Sequence, residues 1–196
     1  RSKANKDDRC YGRMLIRRSN FREIHGEYGD ATTDLFASLE LARRLGDKEI
    51  EGLSFYNLAR MMAIQGNRPM HDEYLNRAGA IAEEIDLRPL INQVLNLRAI
   101  NTPDPAVQLK LHEKLLEITT QSGNVYGQAV ATGNAAYCHS DLGDQKTAIE
   151  KMTWSLTNFE SMNAQGEIVE ASKGIGMFHE RMGQLDQAFS WTKRAY

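Results

Sequence analysis

GNVYGQAVATGNAAYCHSDLGDQKTAIEKMTWSLTNF, residues 123–159, decides the fold. Apolar and small residues recur at Ala129, Thr132, Ala135, Ala136 and His139, then at Ala148, Ile149, Met152, Leu156 and Phe159. Steps of three and four put each set on one face of a helix. Gly143-Asp144 separates the two sets, and glycine readily takes the left-handed conformation that ends a helix. The stretch therefore predicts a helical hairpin. Forty residues on, the pattern returns around Gly183 in IGMFHERMGQLDQAFSWTKRAY, residues 175–196. A fixed period of this length signals a repeat array.

Working back from Gly183 and Gly143, further turns fall at Gly66 and Gly26, and INTPDPAVQLKLHEKLL supplies the missing one at Pro103. The spacings from Gly26 onward are 40, 37, 40 and 40 residues. Leu45-Gly46-Asp47 and Ser122-Gly123-Asn124 read as helix stops between hairpins. Helices are expected at 8–25, 29–45, 49–65, 68–85, 88–101, 104–121, 126–141, 145–161, 166–182 and 185–196, with residues 1–7 as a flexible lead. These pair into five units of one array over 8–196: 8–45, 49–85, 88–121, 126–161 and a truncated 166–196. Phe55, Leu58, Met61 and Met62, with Leu75, Ile81 and Ile85, form apolar stripes expected in the core, because a lone hairpin cannot bury its apolar face.

Small residues mark three offsets from each turn. Seven before it stand Ser19, Ala59, Asn96, Ala136 and Gly176; five after it, Ala31, His71, Gln108, Ala148 and Ala188; twelve after it, Ser38, Ala78, Leu115, Ser155 and Ala195. Small side chains let two helix backbones approach closely. With this ladder and these turns, almost the whole chain resembles tetratricopeptide repeats of the longer, roughly 40-residue kind. Unit three departs most: Pro103 stands for the turn glycine, and Asn96, Gln108 and Leu115 for small residues. Altered packing is expected there. The tryptophan usual near the start of each hairpin is absent.

The resemblance implies an all-α fold, a right-handed α-α superhelix (solenoid) of about five hairpins. It also implies a concave groove, lined by the first helix of each hairpin, that holds a peptide or partner protein. Groove positions then include Arg13, Ile16, Arg17, Asn20 and Glu23 in unit one, Tyr56, Asn57 and Arg60 in unit two, and Leu90, Gln93 and Val94 in unit three. Unit four offers Asn134 and Tyr137, and unit five Glu170, Lys173 and Gly174. Asn57 and Asn134 share an offset, nine residues before their turns, where peptide-binding members of the family commonly carry asparagine. A side-chain amide donates and accepts, so it can pair with any extended backbone; the alternative is two solvated amides. Tyr56 and Tyr137 suit a recognition surface or brace the groove wall. Arg13, Arg17 and Arg60, near Asn20, Asn57 and Tyr56, could clamp a carboxylate. Such a clamp matches the chaperone type only in part, since Ile16, Leu90 and Val94 stand where basic residues are expected. The alternative is a solvated basic terminal helix.

Composition narrows the function further. The 196 residues carry a formal net charge of −2, 41% hydrophobic and 26% charged residues, as in an ordinary globular protein. Near-neutral charge argues against nucleic acid as the partner, although residues 1–24 hold eight Lys/Arg against three Asp/Glu. No apolar run approaches the ~18 residues of a membrane helix, and two distant cysteines, Cys10 and Cys138, fit a reducing, cytoplasmic setting. His139 and His179 occupy equivalent offsets, but stacked helices hold them roughly 10 Å apart, so packed histidines are expected, and no metal or cofactor. No nucleophile elbow, dinucleotide loop or phosphate loop is present, which points away from an enzyme. The chain begins without methionine and ends within a helical pattern, so it reads as a piece of a longer protein. Two functions follow: a non-catalytic binding scaffold, or the regulatory part of a bacterial signalling protein such as a diguanylate cyclase, histidine kinase or transcription regulator. In the second case the array would hold a partner, a peptide signal or its own dimer mate.

Overall fold

A computed structural model describes residues 3–195, and the side chains from Asp7 onward. Among these residues the chain forms ten α-helices: α1 (Lys3–Ile24), α2 (Tyr28–Leu45), α3 (Lys48–Ile64), α4 (Arg68–Glu84), α5 (Arg88–Ile100), α6 (Pro105–Gln121), α7 (Val125–Asp141), α8 (Gln145–Ser161), α9 (Gln165–Arg181) and α10 (Leu185–Arg194). From α2 to α9 each observed end lies within a residue of the expected one. α1 starts at Lys3 rather than at residue 8, so part of the expected lead is helical; Arg1 and Ser2 lie outside the described residues.

One junction repeats along the chain. Eight of the ten helices close on a residue with positive φ: Gly26, Gly46, Gly66, Gly123, Gly143 or Gly183, and also Asp86 and Asn163. The amide after it reaches back five residues, as in Asp47 N to Ala42 O at 2.9 Å and Asp144 N to His139 O at 2.9 Å. That closure satisfies carbonyls a helix end would otherwise leave open. Several following residues then cap the next helix: Asp47 accepts from Ile50 N, Asn67 from Met70 N, Asn124 from Gly127 N and Asp144 from Thr147 N. Such a cap stabilises by about 1 kcal/mol. The α5–α6 junction differs. It has no positive-φ residue, and Asp104 caps α6 through Ala106 N. There Gln108 Nε2 reaches back to Thr102 O at 2.5 Å while its Oε1 accepts from Cys138 Sγ at 3.5 Å. A long amide at a ladder position thus ties the turn to α7.

The small-residue ladder is the seam of the hairpins. Ala31, Ser38, Ala59, Ala78, Ala136, Ala148 and Ser155 have no accessible surface. Ser38 Oγ donates to Gly12 O at 3.0 Å and Ser155 Oγ to Ala129 O at 2.7 Å, the same contact in two hairpins. His71 Nδ1 lies 2.9 Å from Ala59 O, joining two ladder positions. The chain divides into two compact units, Arg1–Leu97 and Arg98–Tyr196. The division falls inside unit three, where the ladder is broken. In unit 1, Leu35, Ile50, Phe55, Leu58, Met61, Leu75, Ile81 and Leu90 join one core. In unit 2, Met152, Leu156, Phe159, Ile175 and Phe178 form another. Ile85 departs from its expected place in the core: it is the C-cap that follows α4 and is 37% exposed.

Candidate functional site

In unit 1 the first-helix surfaces of α1 and α3 carry the predicted residues. Arg13 is exposed and pairs with Glu49 at 2.9 Å. Arg17 is exposed and has no ion-pair partner among the described residues. Asn20 is half-buried, with Oδ1 enclosed and without a hydrogen-bond partner among the described residues. Tyr56 is half-buried, and burial raises its hydroxyl pKa above the usual tyrosine value. Gln93 is exposed on α5. Ile16, Leu90 and Val94 are buried core residues and present little surface.

Asn57 stands apart from the role its position suggests. It is 5% exposed. Its Nδ2 donates to Leu53 O at 2.8 Å, and its Oδ1 accepts from Arg60 Nη1 at 3.2 Å. Arg60 in turn joins Glu23 Oε1 at 2.6 Å. Asn57, Arg60 and Glu23 form one internal network, and the amide expected to read a ligand backbone is bonded within the chain.

The basic character of the first helix has the same destination. Asp34, whose side chain is 4% exposed, receives Arg18 at 2.5 Å and Arg22 at 2.7 Å. The Arg18 hydrogen bonds hold its carboxyl below the ordinary aspartate range. Arg9 meets Asp47 at 2.8 Å. Among the described residues, Arg9, Arg13, Arg18 and Arg22 of the first helix therefore fasten it to α2, to α3 and to the turn between them, and Arg17 is left facing solvent.

In unit 2 a cleft of about 140 Å³ opens between α7, α8 and α9. Val130, Met152, Phe159 and Ala171 give it an apolar floor; Asn134 and Tyr137 line it from α7; Glu167 and Glu170 come from α9. Tyr137 packs edge-on against Phe178, with ring centroids 5.5 Å apart. A Cβ at Gly174 would meet the Tyr137 hydroxyl at 2.8 Å, so the glycine there makes room for the ring. Burial, then the Glu170 carboxylate, raises the Tyr137 pKa. Lys173 Nζ pairs with Glu170 at 3.0 Å. At the other end Tyr126 donates to Glu167 Oε1 at 2.5 Å, which raises the phenol pKa and lowers that of the carboxyl.

The structure thus brings Asn134, Tyr137 and the Glu170–Lys173 pair together, and separately Asn57 with Arg60. Glu167 did not emerge from sequence, and Phe159 emerged only as part of a helix's apolar face, not as cleft lining. Their signal is a contact between side chains 41 residues apart, Tyr126 and Glu167, which no local pattern carries.

His139 and His179 are half-buried rather than sealed in a seam. Each sits at a helix end, with Nδ1 3.9 Å from Asp144 and 2.6 Å from Gln184 respectively. Among the described residues no cluster of three His, Cys, Asp or Glu is placed to hold a metal ion, and no helix is long and apolar enough to cross a membrane. Cys138 is buried, and desolvation raises its thiol pKa.

No protein-family model and no curated protein matches the chain. Solved structures do. The apo form of RapI is similar at TM-score 0.80 and 15% identity, over 94% of this chain and 68% of that one. A Rap protein complexed with competence and sporulation factor is similar at TM-score 0.78 and 19% identity, over 92% of this chain and 52% of that one. A signal transduction ATPase with numerous domains and a tetratricopeptide repeat sensor, from Pyrococcus horikoshii, is similar at TM-score 0.80 and 14% identity; 94% of this chain covers 30% of it. The chain therefore spans about half the length of the second protein and under a third of the last. At these identities the likeness shows the fold, which is all-α and of the tetratricopeptide-repeat type.

Proposed function

We propose that the chain is a non-catalytic scaffold that binds a peptide or an extended segment of a partner protein on its first-helix faces, α1 and α3 in unit 1 and α7 and α9 in unit 2. The observation that carries this reading is the cleft beside Tyr137, where a buried apolar floor lies under polar and charged side chains. Peptide sites combine these features: a pocket gives anchoring and the surrounding polar groups give orientation. The Rap protein complexed with competence and sporulation factor has the same fold, which supports a binding role. On this reading Tyr137, Asn134 and Lys173 meet the ligand in unit 2, with Arg17, Tyr56, Arg13, Asn20 and Gln93 in unit 1. Asn57 and Arg60 act as positioning residues, because their polar atoms already bond to each other and to Glu23.

A second reading makes the chain the sensor part of a longer signalling protein. It is supported by the likeness to a signal transduction ATPase carrying a repeat sensor, of which this chain spans 30%. Binding on the same faces is common to both readings. A second copy of the chain is another occupant, and the solution mass across a concentration series decides that case.

Selection of peptides from a display library against the 196-residue chain tests the proposal. Tyr137→Ala is expected to weaken a selected peptide about tenfold, the loss typical of an aromatic anchor, with helicity retained by circular dichroism. Failure to select any peptide, or selected peptides whose amide-shift changes avoid both faces, would remove the reading.

A further inference from the structure

We propose, building on the peptide-binding reading, that the α7–α9 cleft takes one large apolar side chain whose neighbour in the ligand is cationic, so that the partner is a basic-apolar segment. Size comes first. An apolar cavity of ~150 Å³ accommodates a benzene-sized group, and this cleft measures about 140 Å³. Its floor residues Met152, Phe159 and Ala171 are buried, so an aliphatic or aromatic side chain that enters replaces water over apolar surface.

Charge comes second. Of the described residues lining the cleft, the ionised ones are Glu167 and Glu170, and no Lys, Arg or His is among them. Lys173 meets Glu170 from the same helix, three residues on, and the two side chains are 41% and 69% exposed. A surface pair of this kind contributes roughly 0–1 kcal/mol, so an incoming guanidinium competes with it on favourable terms, because it binds a carboxylate through two parallel hydrogen bonds. Glu167 is held in place by the Tyr126 hydroxyl on one oxygen. A carboxylate offers about four acceptor positions, so the Tyr126 bond and a further one from its own backbone N–H leave capacity for a ligand cation. The ring of Tyr137, fixed against Phe178, adds a flat π surface beside the same two acids. An acidic ligand meets two like charges here, whereas exposed Arg17 in unit 1 favours one. The preferred ligand of this cleft is therefore opposite in charge from the one an arginine clamp would select.

Four fluorescent, end-blocked peptides in a Gly-Ser background test the assignment by anisotropy: one centred on Phe-Arg, one on Phe-Gln, one on Phe-Glu and one on Gly-Arg. Phe-Arg is expected to bind best, about tenfold or more ahead of Phe-Glu and Gly-Arg, with a preference over Phe-Glu that shrinks as salt rises from 50 to 300 mM. The combined change Glu167→Gln and Glu170→Gln is expected to bring Phe-Arg down to the Phe-Gln level while leaving Phe-Gln itself unchanged. Glu113→Gln, which removes an exposed acid of α6 outside the cleft, is expected to leave the ranking intact. Equal binding of Phe-Arg and Phe-Glu, or a preference that survives the double substitution, overturns this inference and leaves the peptide-binding reading standing. If none of the four binds while library-selected peptides do, the inference again falls alone; if nothing binds at all, both fall.

Discussion

At the scale of the residue, position along a helix and availability to a ligand are different properties. Asn57 and Asn134 share one offset from their turns, yet Asn57 is enclosed and bonded to Leu53 and Arg60, while Asn134 lines a cleft. The difference comes from Glu23, which draws Arg60 across to α1 and carries the Asn57 amide with it. Nothing near Asn57 in sequence announces an acid 34 residues away. His112 is a second case in which surroundings decide chemistry. It is 4% exposed, its Nδ1 has no hydrogen-bond partner among the described residues, and burial depresses its pKa to about 4 from the usual 6.5. Unfolding frees it to take a proton at the ordinary pKa, so between those values the unfolded chain binds more protons. Stability is thus full above pH 6.5 and falls as pH drops towards about 4, by on the order of 3 kcal/mol. Urea titrations at a series of pH values are expected to show this slope in the wild type and a flatter one in His112→Leu. Asp34 acts in a different window. Its lowered pKa gives stability that is present above the ordinary aspartate value and lost only as pH falls below it. The acid limb under pH 4 should therefore survive in His112→Leu, and equal slopes in both proteins would count against a buried neutral His112.

At the scale of the element, most of the chain was legible because two physical requirements repeat at fixed offsets. Helix backbones that touch need small side chains at the crossing, so Ala59, Ala136 and Gly176 were visible seven residues before their turns. Sharp helix stops need positive φ, so Gly26, Gly46, Gly143 and Gly183 were visible too. Asp86 and Asn163 fill the same conformation without glycine, and there the junction was found by spacing alone. The Asp34 clamp, the Asn57 network and the acids of the cleft were not legible. Each depends on which rotamer bridges two helices, and a single sequence holds no periodic trace of that. The ladder makes a quantitative claim. Ala136 and Ala148 are fully buried in the core of unit 2. Ala136→Leu forces extra carbons into the crossing and is expected to destabilise unit 2 by about 1–3 kcal/mol, whereas Ala37→Leu, on an exposed position of α2, should change stability by less than about 0.5 kcal/mol. Thermal melts of the two variants compare them directly; similar losses would show that the seam tolerates larger side chains and that the ladder is incidental.

At the scale of the whole molecule, the broken ladder of unit three coincides with the division between Leu97 and Arg98. Repeat arrays gain stability from each unit and from each nearest-neighbour interface. A position that lacks the small-residue crossing, the positive-φ closure and the 40-residue period is where cooperativity is expected to weaken. The chain carries its own reporter for this. Its two tryptophans, Trp154 and Trp191, both lie in unit 2, while helices fill both units. Far-UV dichroism therefore follows the whole chain and tryptophan fluorescence follows residues 98–196 alone. Coincident transitions from different probes are the mark of two-state unfolding, and here the two curves are expected to separate in urea. Leu58→Ala, in the core of unit 1, sharpens the experiment. Truncating a buried leucine costs about 2–5 kcal/mol, so the variant is expected to lose part of its ellipticity at lower urea while the fluorescence midpoint stays where it was. Met152→Ala, in the core of unit 2, should do the reverse, moving the fluorescence midpoint and leaving an early dichroism phase in place. If either substitution moves both signals together, the third hairpin transmits stability as well as an unbroken ladder would, and Pro103, Asn96 and Gln108 are neutral replacements rather than a boundary.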